Sequence, residues 1–315
     1  MRVALVTTSY PAFEGDGCGH FVETEARQRA VQDDVFVVTA GRAPAPPPGE
    51  TSRVSVLRLR GHDAFGWPGL AARIRARPHR LIGAVLWARR ARAALASLRP
   101  LDRIVAHWAV PSGWPISTDL GVPVELVSHG ADVRALLSCP TPLRHSIVAR
   151  LLRSAASWRF VSSSLLDRLL ASLRTDEARR LARVARVEAC AIDMPDVRSA
   201  ALETRALYRG ARLAVCVARL VPSKRVDEVI DHVAGEPLRR QLVVVGDGPL
   251  RTRLEKHARA VGVDARFVGQ TTRPVALAWI GAADIVLHAS EAEGLSTVER
   301  EARALGVPFR FVGTR

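Results

Sequence analysis

The sequence predicts an α/β chain built as two doubly wound parallel sheets, and three observations carry that prediction. Short β-branched runs alternate with longer amphipathic ones. The alternation breaks once, in a stretch near Met194–Glu203 without clear periodicity, and then restarts. A length of 315 residues suits two domains, and 48% hydrophobic content is enough for two buried cores. The same composition excludes disordered, collagen-like and small disulfide-stapled chains.

In the first half Val3–Thr8, Val35–Ala40, Arg53–Leu59, Arg103–Trp108, Val124–Ser128 and Arg159–Ser163 read as strands, with helical patterns between several of them. A glycine-rich turn, Gly15-Asp-Gly-Cys-Gly-His, leads from the first strand into a helix from about Phe21. Ala43–Glu50 carries four prolines and reads as a surface loop. The pattern restarts with Leu213–Ala218, Leu242–Gly246, Arg266–Val268, Ile285–His288 and Pro308–Val312. Between the first two of these, Val226, Val229, Ile230 and Val233 recur at helical spacing while Asp227, Glu228 and Asp231 point elsewhere, as in a helix laid on a sheet. The predicted domains are 1–195 and 205–315. No repeat of solenoid period and no low-complexity segment interrupts them.

The formal charge is +15, from 46 basic and 31 acidic residues. Lysine occurs only at Lys224 and Lys256, and the arginines are scattered through the helical stretches rather than gathered in blocks. Without aromatic interleaving or a dense basic cluster, nucleic-acid binding is not expected. Ala71–Arg99 mixes Arg73, Arg75, Arg77, Arg80, Arg89, Arg90 and Arg92 with Ile74, Leu81, Ile82, Leu86 and Trp87. That composition fits either a solvated arginine-rich helix or a surface resting on anionic lipid. Cys18, Cys139, Cys190 and Cys216 lack C-x-x-C spacing, which argues against a zinc site or a disulfide framework and fits a reducing cytoplasm. No apolar run reaches the roughly 18 residues that span a bilayer. The expected location is cytoplasmic, with a peripheral place at the inner face of the membrane.

The most informative segment is Ser290–Pro308, which follows the strand Ile285–His288 and opens a helix ended by Gly306 and Pro308. Ser296 and Glu299 have the spacing of a capping box, which makes Glu299 structural. Glu293 then lies in the loop at the carboxyl end of the strand and Glu301 on the helix, beside free backbone N–H groups that suit an anion. Two solvated glutamates explain the spacing equally well. Arg219 and Lys224 lie five residues apart on the loop leaving Leu213–Ala218 and can converge on one diphosphate, the guanidinium as a fork and the ammonium as a point charge. Gly246-Asp-Gly-Pro is a turn explained by glycine geometry alone. Gly17 and Gly19 stand where a backbone could approach a phosphate, although the segment is not G-x-G-x-x-G. His107 and His129 each close a strand of the first half.

Taken in order, these pieces resemble the family 4 glycosyltransferases, retaining enzymes of the two-Rossmann-domain GT-B fold. The resemblance covers nearly the whole chain: the glycine-rich first loop, His107-Trp108, His129-Gly130 with Asp132, Arg219 with Lys224, Gly246-Asp-Gly, and the E-x7-E pair Glu293 and Glu301. It implies a nucleotide-sugar donor held between the domains, mainly on the second. Arg219 and Lys224 would neutralise the diphosphate; Glu293 and the backbone at Gly294 and Leu295 would meet the sugar and phosphate. Glu301 would hold the ribose hydroxyls, Gly17 and Gly19 would let the first loop approach the diphosphate, and His129 would contact the sugar near the reacting carbon. No Asp-x-Asp motif is present to hold a divalent metal, so no cofactor and no metal is expected.

The implied activity is that of a hexosyltransferase-type enzyme moving a sugar, with retention, from a nucleotide-diphosphate sugar to a glycan or lipid-linked acceptor. The sequence departs from the family pattern in Ser296, where Gly or Pro is usual, in Arg310 within an apolar strand, and in stopping at Arg315. These departures imply a C-terminally truncated second domain with reduced stability. The competing readings are an inactive remnant that at most binds nucleotide, and a nucleotide-sugar epimerase on the same fold.

Overall fold

A parallel strand covered on both faces reads as a continuous apolar run, and the runs named above form two parallel sheets. In the computed structural model the described residues are 1–41, 53–61, 64–66, 70–208, 210–236, 240–290 and 296–313; the proline-rich stretch Ala43–Glu50 lies outside them. The chain divides into two units, one of Met1–Glu14 and Cys18–Asp193, the other of Gly15–Gly17 and Met194–Arg315.

The first unit holds β1 (Arg2–Thr7), β2 (Asp34–Ala40), β3 (Val54–Leu59), β4 (Arg103–His107), β5 (Val124–Ser128), β6 (Ala155–Phe160) and β7 (Ala185–Val187). Their order is β3-β2-β1-β4-β5-β6-β7, every pair parallel. Helices such as His20–Arg29, Arg80–Ser97 and Thr141–Ser154 bury Val22, Trp87 and Leu151 against this sheet's core, which includes Leu5, Ile104, Leu126, Trp158 and Phe160.

The second unit holds β8 (Leu213–Val217), β9 (Gln241–Val245), β10 (Ala265–Gly269), β11 (Ile285–His288) and β12 (Phe309–Phe311) in the order β10-β9-β8-β11-β12, again parallel throughout. Strand alternation splits its core in two. Ala214 and Cys216 pack with Leu242, Val244 and the predicted stripe Val226, Val229, Ile230 and Val233. Leu213 and Val215 pack with Val243, Val245 and Trp279 on the opposite face.

The structure corrects four local expectations. The strand expected at Arg159–Ser163 lies earlier, at Ala155–Phe160, and Ser163 already begins a helix. Ala155, Ala156 and Ser157 give little β signal, and Arg159 is buried because it pairs with Glu25. The unexpected strand β7 is a three-residue edge paired only with β6, too short for a periodic signal. Arg310 does not break β12; that strand is also an edge, and the exposed guanidinium reaches Glu236 at 3.7 Å. Trp87, grouped by sequence with a surface stretch, is fully buried with its ring 4.6 Å from that of Phe65.

Gly246 and Gly248 show why the Gly246-Asp-Gly turn needs its glycines. Gly246 has φ +132°, and an added Cβ would lie 2.0 Å from the Ala218 carbonyl oxygen; at Gly248 it would lie 2.2 Å from that of Leu220. The Leu220 N–H donates to the Asp247 carbonyl at 2.8 Å, so this turn fixes the loop that carries Arg219. Gly248→Ala is therefore expected to lower stability by about 2 kcal/mol or more, read as a shift in urea midpoint, whereas Gly262→Ala, with open space at the Cβ position, is expected to cost less. Equal effects at the two glycines would contradict the close approach.

Candidate functional site

In open α/β sheets ligands bind beyond the carboxyl ends of the strands, where the strand order reverses. In the first sheet that point lies between β1 and β4, and in the second between β8 and β11. Of the sequence-predicted residues, His129 lies at the carboxyl edge of the first sheet, and Arg219 and Lys224 at that of the second.

In the first unit β4 ends in His107 and β5 leads into His129. Their rings stack at 5.3 Å with His107 Nδ1 3.1 Å from His129 Nε2. Phe21 and Trp108 close over His129, each ring centroid 4.8 Å away, and Trp108 holds the strained φ of 69°. The buried Asp132 ties the two strand ends together: Oδ2 accepts the Ala109 N–H at 2.8 Å, and Oδ1 accepts those of Gly130 at 3.0 Å and His129 at 3.2 Å. Burial pushes the Asp132 carboxyl up, against the pull of its N–H donors.

Beneath His107 lies a buried charge cluster. Glu25 Oε2 is 3.7 Å from His107 Nε2 and accepts a hydrogen bond from Arg159, while Glu25 Oε1 accepts from Arg29 at 2.9 Å. Arg29 bridges on to Glu125 at 2.9 Å. Burial opposes charge on Glu25, but His107, Arg159 and Arg29 overcome it and hold the carboxyl down at about 2. Burial lowers His107 to about 4, against the pull of Glu25, and lowers His129 well below its usual value. Both imidazoles are therefore neutral at pH 7.

In the second unit Arg219 is exposed just beyond β8, and Lys224 closes the short turn Pro222–Lys224. His288, which sequence reasoning passed over as the end of a strand, is buried at the end of β11 and held at about 4 by burial and by the nearby Lys224 charge. Ser290 Oγ donates to the Ser223 carbonyl at 3.4 Å, tying the two loops. Glu301 is buried on the helix Thr297–Ala304 and accepts from Arg273 Nε at 3.1 Å. Its carboxyl is pushed up by burial, with Arg273 pulling the other way. Glu293, Gly294 and Leu295 lie outside the described residues.

Ser296 caps its helix as expected, accepting the Glu299 N–H at 3.3 Å, but the Glu299 carboxylate pairs with Arg303 at 2.6 Å instead of returning to the cap. Gly19 has φ +70°, and an added Cβ would lie 2.2 Å from the Ser9 carbonyl oxygen, so local packing already requires glycine there. Gly17 is exposed, and an added Cβ would meet only ordinary van der Waals distance. Among the described residues no group of three or more His, Cys, Asp or Glu side chains could hold a metal ion, and no helix is long and apolar enough to cross a membrane.

Residues 199–309 match the family model for glycosyl transferases group 1. TuaC of Bacillus subtilis (strain 168), provisionally named a teichuronic acid biosynthesis glycosyltransferase, is 26% identical over 322 residues, covering 95% of this chain and 77% of that protein. Among solved structures, Anabaena Alr3699/HepE in complex with UDP and glucose superposes with a TM-score of 0.67 at 17% identity, covering 98% of this chain and 80% of the other. The sucrose-phosphate synthase tll1590 of Thermosynechococcus elongatus gives a TM-score of 0.68 at 18% identity, covering 99% and 82%. These neighbours share the GT-B fold of two parallel-sheet Rossmann-like domains.

The charge cluster sets a pH dependence. His107 has a folded pKa of about 4 against an ordinary value of 6.5, so its contribution is complete above pH 6.5 and is lost as pH falls from 6.5 to 4. Glu25, lowered from 4.5 to about 2, adds a further loss below pH 4.5. Unfolding free energy measured in urea is expected to fall on acidification from pH 6.5 to 4, with the share of His107 on the order of 3 kcal/mol. His107→Asn is expected to flatten the curve by that share, and an unchanged slope would contradict it.

Proposed function

We propose that the chain, whose residues 199–309 match the group 1 glycosyl transferase model, is a glycosyltransferase that transfers a sugar, with retention, from a nucleoside-diphosphate sugar to a glycan or lipid-linked acceptor. The observation that carries this reading is the switch point of the second sheet, where Arg219 and Lys224 leave β8 beside the end of β11. Cleaving a glycosyl phosphate bond develops negative charge on the departing diphosphate, which a guanidinium fork and an ammonium stabilise without a metal. In this reading Glu293, Gly294 and Leu295 meet sugar and phosphate. Glu301 holds the ribose hydroxyls and shares its carboxylate with Arg273. Gly17 and Gly19 lie along the diphosphate, and His129 contacts the sugar. The UDP and glucose bound by Alr3699/HepE support a donor of this class, and the name of TuaC supports a glycan acceptor.

A peripheral place on the cytoplasmic face of the membrane is part of the proposal. The helix Arg80–Ser97 exposes Leu81, Ile82, Val85 and Leu86 beside exposed Arg89 and Arg90. Apolar residues with arginines at their border suit an anionic lipid surface. Arg92 does not belong to this face, because its guanidinium donates to the carbonyls of Ile116 and Thr118.

Titrating the chain with UDP, GDP and ADP tests the donor site. At roughly 100 times Kd one nucleotide is expected to stabilise by about 2.7 kcal/mol, read as a rise in melting temperature, with EDTA present or absent. Lys224→Ala and Glu301→Ala are expected to lose the shift; no shift with any nucleotide would overturn the reading. Flotation with vesicles containing phosphatidylglycerol is expected to carry the chain upward, and Ile82→Glu with Leu86→Glu to abolish this. Equal flotation of the double variant would remove the membrane claim.

A further inference from the structure

We propose that Glu25 and His107 are positioning residues that hold His129 as its Nε2–H tautomer, leaving His129 Nδ1 as a hydrogen-bond acceptor for a hydroxyl of the donor sugar. This rests on the reading that His129 meets that sugar.

The inference follows from the direction of each proton. His107 is fully buried, and its Nε2 has no hydrogen-bond partner; the nearest charged oxygen is Glu25 Oε2 at 3.7 Å. A proton on His107 Nε2 points its positive end at that carboxylate, whereas a lone pair there would face a negative charge in a buried setting. The carboxylate is held in place and ionised by Arg159 and Arg29, so the preference is permanent. A neutral His107 with its proton on Nε2 offers Nδ1 as an acceptor. Among the described residues, the group that meets that nitrogen is His129 Nε2, 3.1 Å away, which must then donate. His129 is left with Nδ1 bare, and no described residue bonds to it.

The other charged and titratable groups around the pair agree with two neutral rings. Arg159 from β6 disfavours a proton on either ring and Arg29 from the helix His20–Arg29 disfavours one on His107, while Glu125 from β5, which pulls the other way on His107, is engaged with Arg29. Asp132 turns its carboxylate to the backbone N–H groups of Ala109, His129 and Gly130, not to the rings. A chain of three groups thus converts one buried charge into a fixed acceptor, in the way that second-shell partners commonly set a histidine tautomer.

Long-range ¹H–¹⁵N correlation spectra of the imidazoles in the full chain test the tautomers without any donor. At pH 7 both His107 and His129 are expected to be neutral with the proton on Nε2. Glu25→Gln is expected to mix the His107 tautomers and with them those of His129. Should that variant fail to fold around the stranded arginines, His107→Asn and His107→Phe decide the matter. The asparagine amide oxygen can accept in place of Nδ1 and keeps His129 as the Nε2–H form, while phenylalanine cannot. With UDP-glucose, GDP-mannose or ADP-glucose as probe, whichever the chain hydrolyses, His107→Phe is expected to lose about tenfold in rate and His107→Asn to recover most of it. Nucleotide-induced stabilisation should remain in both. A proton on Nδ1 of His129 in the unmodified chain, or tautomers and rates indifferent to His107→Phe, would overturn the proposal. The predicted tautomers together with no nucleotide binding would instead overturn the donor reading and the sugar contact with it.

Discussion

One buried carboxylate organises the carboxyl edge of the sheet in the first unit. Glu25 stands on the first helix, yet it joins Arg29 on the same helix, Arg159 on β6 and, through Arg29, Glu125 on β5, and it faces His107 at the end of β4. Removing one member of such a cluster would leave a buried charge without its partner, which typically costs several kcal/mol. The cluster therefore fixes the register in which three strands and a helix present their carboxyl ends. His107 and His129 are stacked where they are because the floor beneath them cannot shift.

The second unit reaches the same end by backbone approach instead of charge. Gly246 and Gly248 lie against the carbonyls of Ala218 and Leu220, closer than any side chain would permit. The loop carrying Arg219 is thereby pinned, while the short turn ending in Lys224 is tied to the β11 loop through Ser290 and Ser223. Asp132 plays the matching part in the first unit, its two oxygens gathering backbone N–H groups from the ends of β4 and β5. In both units the parallel sheet supplies the edge, and a few close polar or steric constraints make that edge rigid enough to orient a ligand.

Much of this was legible in the sequence because parallel strands buried on both faces are continuous apolar runs. Val124–Ser128 and Ile285–His288 have the predicted limits, and the helix stripe from Val226 to Val233 is buried as its spacing requires. The failures share a cause. The start of β6 carries two alanines and a serine, and Arg159 within it is apolar in location only because Glu25 neutralises it across 134 residues of chain. No local pattern encodes such a partnership. Glu25 carries no local signal that sets it apart from a helix-surface acid, and His288 reads as the end of a strand. The glycines of Gly246-Asp-Gly read correctly as geometry, but what they approach could be seen only in the fold. Gly19 was singled out for a phosphate, and the Ser9 carbonyl gives it a reason that needs no ligand.

The proposed transfer of a sugar from a nucleotide donor follows a retaining route. Its most direct test is the anomeric configuration of the sugar first released when the chain hydrolyses an α-linked nucleoside-diphosphate sugar in the absence of acceptor, followed by ¹H NMR before mutarotation. The α anomer is the expected initial product. Initial release of the β anomer would contradict the retaining route.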